Sequence, residues 1–193
     1  NIVVSLSSKI PLMQARRLLF RRVIKRFGGR LHTVVSGGAP LDSEVGKKWE
    51  AFGIYVLQGY GTTEASPAIT ANRYEDRKIA SVGKPLEGVE VKIAEENGEI
   101  LVKGPIVTKG YFKNPKKTGE SFVDGWYKTG DIGHFGRDGH LYIKGRKEYV
   151  IITEAGENVY PEDIEFELNK IPGVEASAVV GFKRNNRLEV HAV

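Results

Sequence analysis

Gln58-Gly-Tyr-Gly-Thr-Thr-Glu64, entered directly from the apolar run Ile54-Tyr-Val-Leu57, is the stretch on which the reading of this chain turns. The apolar run reads as a buried strand, Ile54–Leu57, ending in a glycine-rich loop. The seven residues that follow gather backbone N–H groups, two hydroxyls, an aromatic ring and a carboxylate at the strand's C-terminal end. Open α/β sheets bind ligands at that end. The glycines let the backbone approach a phosphate, Thr62 and Thr63 can donate to its oxygens, and Glu64 can hold a hard cation such as Mg²⁺. Tyr60 offers a ring for stacking on a base. The same residues also suit an ordinary strand-to-helix connection, with glycines for the turn and Thr as an N-cap.

Working outward, Leu31–Val35 is a second apolar strand, and it too runs into a glycine turn, Ser36-Gly-Gly-Ala-Pro40. A helix from the N-cap Asp42 to Phe52, closed by Gly53, links the two strands and implies a parallel, helix-covered sheet. Before it, Pro11–Phe27 reads as one helix ending at Gly28-Gly29. At about 100° per residue its Leu12, Ala15, Leu19, Phe20, Val23, Ile24 and Phe27 share a face, with Arg17, Arg21, Arg22 and Lys25 opposite. Such a helix can bind anionic membranes or nucleic acid, or pack on a core with its basic back in water. No aromatic-interleaved basic strand, recognition-helix pattern or zinc-finger spacing supports base reading, so no nucleic acid is expected. After Ile79 the pattern shifts to short strands around two hairpin turns, Glu95–Gly98 and Gly136–Gly139. A helix follows from Pro161, then strands over Ala176–Phe182 and Leu188–Val193. The expected fold is α/β: part of a parallel, helix-covered sheet domain over residues 1–78, a small antiparallel β unit over 79–146, and the start of a separate α+β domain over 149–193.

The composition bounds the rest. The 193 residues are 40% hydrophobic and 27% charged, with a net charge of +5 and no cysteine. A disulfide framework, thiolate catalysis and a cysteine zinc site are therefore excluded. No apolar run approaches the roughly 20 residues of a membrane-spanning helix, and the first residues lack the pattern of a signal peptide. A cytoplasmic setting is expected, with peripheral membrane contact and a homo-oligomer left open. A start without Met suggests a piece of a longer chain.

Further along stand Tyr127-Lys-Thr-Gly-Asp131, Gly145-Arg-Lys-Glu148 and Gly156-Glu-Asn-Val-Tyr-Pro-Glu-Asp-Ile-Glu165. With the two glycine loops, this ordered set resembles the adenylate-forming superfamily: acyl-CoA synthetases, firefly luciferase and peptide-synthetase adenylation domains. The wording of Gly156–Glu165 looks like the acyl-CoA ligases. The run Phe27-Gly-Gly-Arg-Leu-His with Ser-Gly-Gly-Ala-Pro-Leu looks like the long-chain fatty acid subgroup. The resemblance implies ATP-dependent activation of a carboxylic acid to an acyl-adenylate, followed by transfer to CoA with release of AMP. ATP, CoA and a fatty acid would be the small-molecule partners, with Mg²⁺ as the metal.

Carried over residue by residue, Gly38, Ala39 and Pro40 line the adenine pocket, completed by Gln58, Gly59 and Tyr60. Thr63 and Glu64 are the catalytic pair, Glu64 holding the metal. Asp131, a carboxylate able to accept two hydroxyl hydrogen bonds, takes the ribose, unless it caps a turn. Arg146 contacts the nucleotide, a surface ion pair being its plainer alternative. Lys147–Glu148 stands at the hinge between domains, where relatives carry Asp or Lys at the second position. Gly156 and Asn158 belong to a loop that approaches the site for thioester formation, although Ala155 replaces a frequent second glycine. A Ser/Thr/Gly-rich phosphate loop is expected upstream of Asn1 and a catalytic lysine beyond Val193, so the chain alone is expected to be inactive. A non-catalytic nucleotide- or protein-binding module with the same fold is the rival reading, and those two flanking elements would discriminate. His32 reads as structural.

Overall fold

The computed structural model describes residues 2–184 and 187–193. It opens with α1 (Ile2–Ser8), α2 (Met13–Leu19) and α3 (Arg21–Arg26). The single helix expected over Pro11–Phe27 is therefore two, parted at Phe20, where φ is −100° and ψ is 24°. Long-range contacts account for the break. The Phe20 ring meets Phe52 edge-on at 5.0 Å. Arg17, placed by periodicity on the solvated side, turns inward to the carbonyls of Leu31 at 2.5 Å and Gly53 at 3.3 Å. Only part of the expected apolar face is covered: Ile24 is buried, whereas Leu12, Leu19 and Phe27 are at least half exposed. The helix stop is as expected, with the Gly29 N–H donating to the Ile24 carbonyl at 3.0 Å. Among the described residues no helix is long and apolar enough to cross a membrane.

β1 (Thr33–Ser36) and β2 (Tyr55–Tyr60) pair in parallel, from Thr33 opposite Tyr55 to Ser36 opposite Gln58, joined by α4 (Ser43–Ala51). The Asp42 carboxylate caps α4 by accepting from the Glu44 and Val45 N–H groups, satisfying donors the first turn leaves free. β2 continues to Tyr60 rather than ending at Leu57, because Gly59 and Tyr60 pair with β3 (Thr70–Ala71). The glycine loop thus begins at Gly61. β4 (Lys84–Pro85) completes a four-stranded sheet in the order β1-β2-β3-β4. An expected division at 78/79 therefore runs through a sheet.

The second sheet is antiparallel, with β5 (Glu90–Ile93) on β6 (Glu99–Lys103) across the turn that Asn97-Gly98 forms. Asn114 caps α5 (Pro115–Ser121), and β7 (Phe122–Val123) follows. β8 (Trp126–Phe135) pairs with β6 and β7, and with β9 (Leu141–Arg146) from Asp131 opposite Arg146 to Phe135 opposite Leu141. The two sheets share one core: Ala65 and Ile69, from the segment after β2, pack with Val89, Ile100, Val102 and Leu141. Burying each such aliphatic side chain contributes about 1.5–3 kcal/mol over leaving it in water. That core sets the loop after β2 against the strands carrying Asp131 and Arg146. A 3₁₀ turn at Lys147–Tyr149 leads to β10 (Ile151–Ile152), β11 (Asn158–Val159), α6 (Pro161–Leu168), β12 (Val179–Arg184) and β13 (Arg187–Ala192). Pro161 opens α6 with Glu162 and Asp163 in its first turn, as the sequence implies.

Candidate functional site

Between the ends of the two sheets lies an open cavity of about 1470 Å³. Gly38, Ala39 and Pro40 line it from the loop after β1, and Gln58, Gly59 and Tyr60 from the end of β2. Thr63 and Glu64 enter from the following turn, Asp131 from β8 and Arg146 from β9. Residues far apart in sequence thus meet on one wall-to-wall surface. Gly156 and Asn158 are not among them. They sit in the exposed β10–β11 hairpin, where Gly156 takes the expected positive φ, 79°, to turn the chain.

Asp131 is buried and already partnered on both oxygens. Arg146 donates to Oδ1 at 2.9 Å and to the Thr129 carbonyl at 3.0 Å, and the Tyr60 hydroxyl donates to Oδ2 at 2.5 Å. The ion pair that the sequence left as the plainer role for Arg146 is the one this arrangement contains. It follows from the cross-strand register, which sets Asp131 opposite Arg146. A carboxylate has about four acceptor positions, so Asp131 keeps capacity for further hydroxyl donors. Burial, then the neighbouring Asp131 charge, push the Tyr60 hydroxyl well above its ordinary range, so it stays a neutral donor. Its ring packs on the shared core rather than standing free for stacking. The hydrogen bond and charge of Asp131 raise Arg146 further above the titrating range. Gln58 lines the cavity, but its amide nitrogen is engaged by the Ile79 carbonyl.

Glu64 is held twice. Its carbonyl accepts from the Thr108 N–H at 2.7 Å, and Oε1 accepts from the Tyr111 hydroxyl at 2.8 Å. Burial raises its pKa, but hydrogen bonds from Tyr111, the backbone and Tyr127 outweigh it and hold the carboxyl below the usual carboxylate range. Two hydroxyls occupy at most two of its acceptor positions, so the ionised group can still take a cation. Among the described residues no cluster of three acids or histidines forms a metal cage. A hard cation here would rest on a single carboxylate with water and ligand phosphates, the mode Mg²⁺ commonly uses. Thr63 is exposed at the turn. Thr62, which precedes the turn, lines the cavity and makes no side-chain cap bond, and its Oγ1 is buried.

Three residues at the site escaped the sequence reading. Tyr111 gave no signal, since its partner Glu64 lies 47 positions away. Glu99 is marked in the sequence only as the residue after the Glu95–Gly98 turn, yet it is 4% exposed. It accepts from the Gly130 N–H at 3.2 Å and from Lys147 Nζ at 2.8 Å, tethering one of the two expected hinge residues. Glu162, from the first turn of α6, reaches the cavity rim against Gly145. Its charge at a helix N-terminus was legible but its destination was not. His32 is exposed and is not part of the cavity lining.

The model of the AMP-binding enzyme family matches residues 6–112. The chain is 41% identical to the long-chain-fatty-acid–CoA ligase FadD15 of Mycobacterium bovis over 165 residues, 86% of this chain and 27% of the relative. It is 40% identical to the 2-succinylbenzoate–CoA ligase of Listeria innocua over 181 residues, 91% of this chain and 38% of the relative. The chain therefore spans less than two fifths of the length of these curated relatives. Among solved structures, O-succinylbenzoate coenzyme A synthetase (MenE) from Bacillus subtilis, in complex with ATP and magnesium ion, superposes with a TM-score of 0.76 at 31% identity, covering 91% of this chain and 39% of that one.

Proposed function

The chain belongs to the AMP-binding enzyme family, and on that premise we propose that the full-length protein activates a carboxylic acid with ATP and passes the acyl group to CoA. In the first step an acid oxygen bonds to the α-phosphorus as the bond to pyrophosphate breaks, giving an acyl-adenylate. In the second, the CoA sulfur bonds to the acyl carbon and AMP leaves. The observation that carries this reading is the convergence, on one cavity, of Asp131 with its Tyr60 and Arg146 partners and of the ionised Glu64.

Asp131 accepts the ribose hydroxyls, oriented for it by Tyr60 and Arg146. The loop backbone at Gly38–Pro40 and Gln58–Tyr60 borders the adenine, where the small Gly38, Ala39 and Gly59 leave room for a flat ring. Thr63, exposed at the turn, donates its hydroxyl to phosphate oxygens. Mg²⁺ bound at Glu64 would neutralise developing phosphate charge. Lys147–Glu148 serves as the hinge about which Gly156 and Asn158 approach for the thioester step. Among acids we place a long-chain fatty acid first. The wording of Phe27–Leu41 and the FadD15 relative support it, although the 2-succinylbenzoate ligase is nearly as similar, 40% against 41%.

Calorimetry of AMP and 2′-deoxy-AMP on the full-length protein tests the assignment. Asp131→Ala is expected to weaken AMP by about 2–4 kcal/mol, the loss of two charge-assisted hydrogen bonds. The sugar modification should then cost less in the variant than in the wild type, since one partner is already gone. Strict additivity of the two changes would remove Asp131 from the ribose.

A further inference from the structure

Tyr111 lies in the loop between β6 and α5, and its surroundings hold it facing Glu64. Its N–H donates to Thr118 Oγ1 at 2.9 Å. The next residue but one, Lys113, takes a left-handed φ of 51°, so the chain turns sharply there. Phe112, between them, is 90% exposed, while Tyr111 faces the cavity. The loop is thus tied to Glu64 at two points, the Thr108 N–H on its carbonyl and the Tyr111 hydroxyl on Oε1. The proposed chemistry of the cavity assigns no role to Tyr111, and a phenylalanine would fill the same space.

We infer that Tyr111 is a positioning residue, whose hydroxyl fixes the Glu64 carboxylate in the orientation that receives a divalent cation. The inference rests on the reading of Glu64 as the metal-holding group. A free glutamate side chain has several rotatable bonds, and a cation that must order them binds less tightly. A hydroxyl already bonded to one oxygen orders the carboxylate beforehand, leaving the remaining acceptor positions for the ion. Partners of this kind behind a metal ligand are commonly worth 10–100-fold in metal affinity.

The test uses the full-length protein with Mn²⁺ and a saturating non-hydrolysable ATP analogue, free Mn²⁺ being read by electron paramagnetic resonance. AMP affinity without metal is measured alongside. Tyr111→Phe is expected to raise the Mn²⁺ dissociation constant about tenfold and to leave metal-free AMP affinity within about twofold. Glu64→Gln should weaken Mn²⁺ more than Tyr111→Phe does. If Glu64→Gln weakens Mn²⁺ and Tyr111→Phe does not, the positioning role falls while the metal reading stands. If neither variant changes Mn²⁺ binding, the metal reading fails and takes the positioning role with it. A Tyr111→Phe protein that does not fold, or that loses AMP and Mn²⁺ by the same factor, would show that the hydroxyl serves the fold and overturn the inference.

Discussion

Gly61 and Gly156 each sit in a short loop among hydroxyls and carboxylates, yet their surroundings are opposite. A Cβ on Gly61 would stand 1.7 Å from the Pro67 carbonyl oxygen, whereas one on Gly156 would meet nothing within 4 Å. Gly61 is required because two backbone segments touch there, at the turn that presents Glu64 to the cavity. Gly156 is required only for its φ of 79° in an exposed hairpin. The same residue type thus marks a packed site in one loop and a free turn in the other. Only the packed loop belongs to the surface on which Asp131 and Arg146 converge.

The largest effect that could break this contrast comes from alanine at the two glycines. Gly61→Ala forces backbone against backbone and is expected to cost about 3 kcal/mol of stability, with AMP binding lost alongside. Gly156→Ala pays only for a left-handed alanine, about 1 kcal/mol, and should leave AMP affinity unchanged. Denaturant unfolding and an AMP titration on both variants check this. Similar losses in the two would erase the distinction between packed and free loops.

A smaller effect is expected at Glu162, where α6 meets the cavity. Burial raises its pKa above the ordinary glutamate value, and the charges of Glu165, Asp131 and Asp163 add to the rise against a backbone hydrogen bond at Arg146. The folded state therefore holds this proton more tightly than the unfolded chain does. Its favourable contribution is full below the unfolded pKa and is lost as pH rises through the folded one. Glu162→Gln should accordingly raise Tm slightly at pH 7, on the order of 1 °C, and leave it unchanged near pH 4. The same gain at both pH values would assign the effect to packing on Gly145 instead.

Much of the scaffold was legible because its signals are local. Asp42 ahead of a helical pattern, Asn97-Gly98 between alternating strands and Pro161 before acidic residues each announce an element within a few positions. The break at Phe20 was not legible, since it depends on Phe52 and on Arg17 reaching the Leu31 and Gly53 carbonyls. Gly59-Tyr60 looked like a turn and is strand, because β3 supplies pairing that no local pattern reveals. The site residues Asp131 and Glu64 stood out by type and place, but their partners did not. Tyr60 and Arg146 meet Asp131 only once the sheets are packed and the β8–β9 register, with its irregularity between Ile132 and Gly133, is set.

The proposed nucleotide site spans both sheets and excludes the β10–β11 hairpin in this arrangement. Amide hydrogen exchange of the full-length protein with and without AMP tests it most directly. Exchange should slow together in Gln58–Glu64 and Tyr127–Asp131 and stay unchanged in Ile151–Val159. Slowing confined to one of the first two segments, or found chiefly in Ile151–Val159, would contradict it.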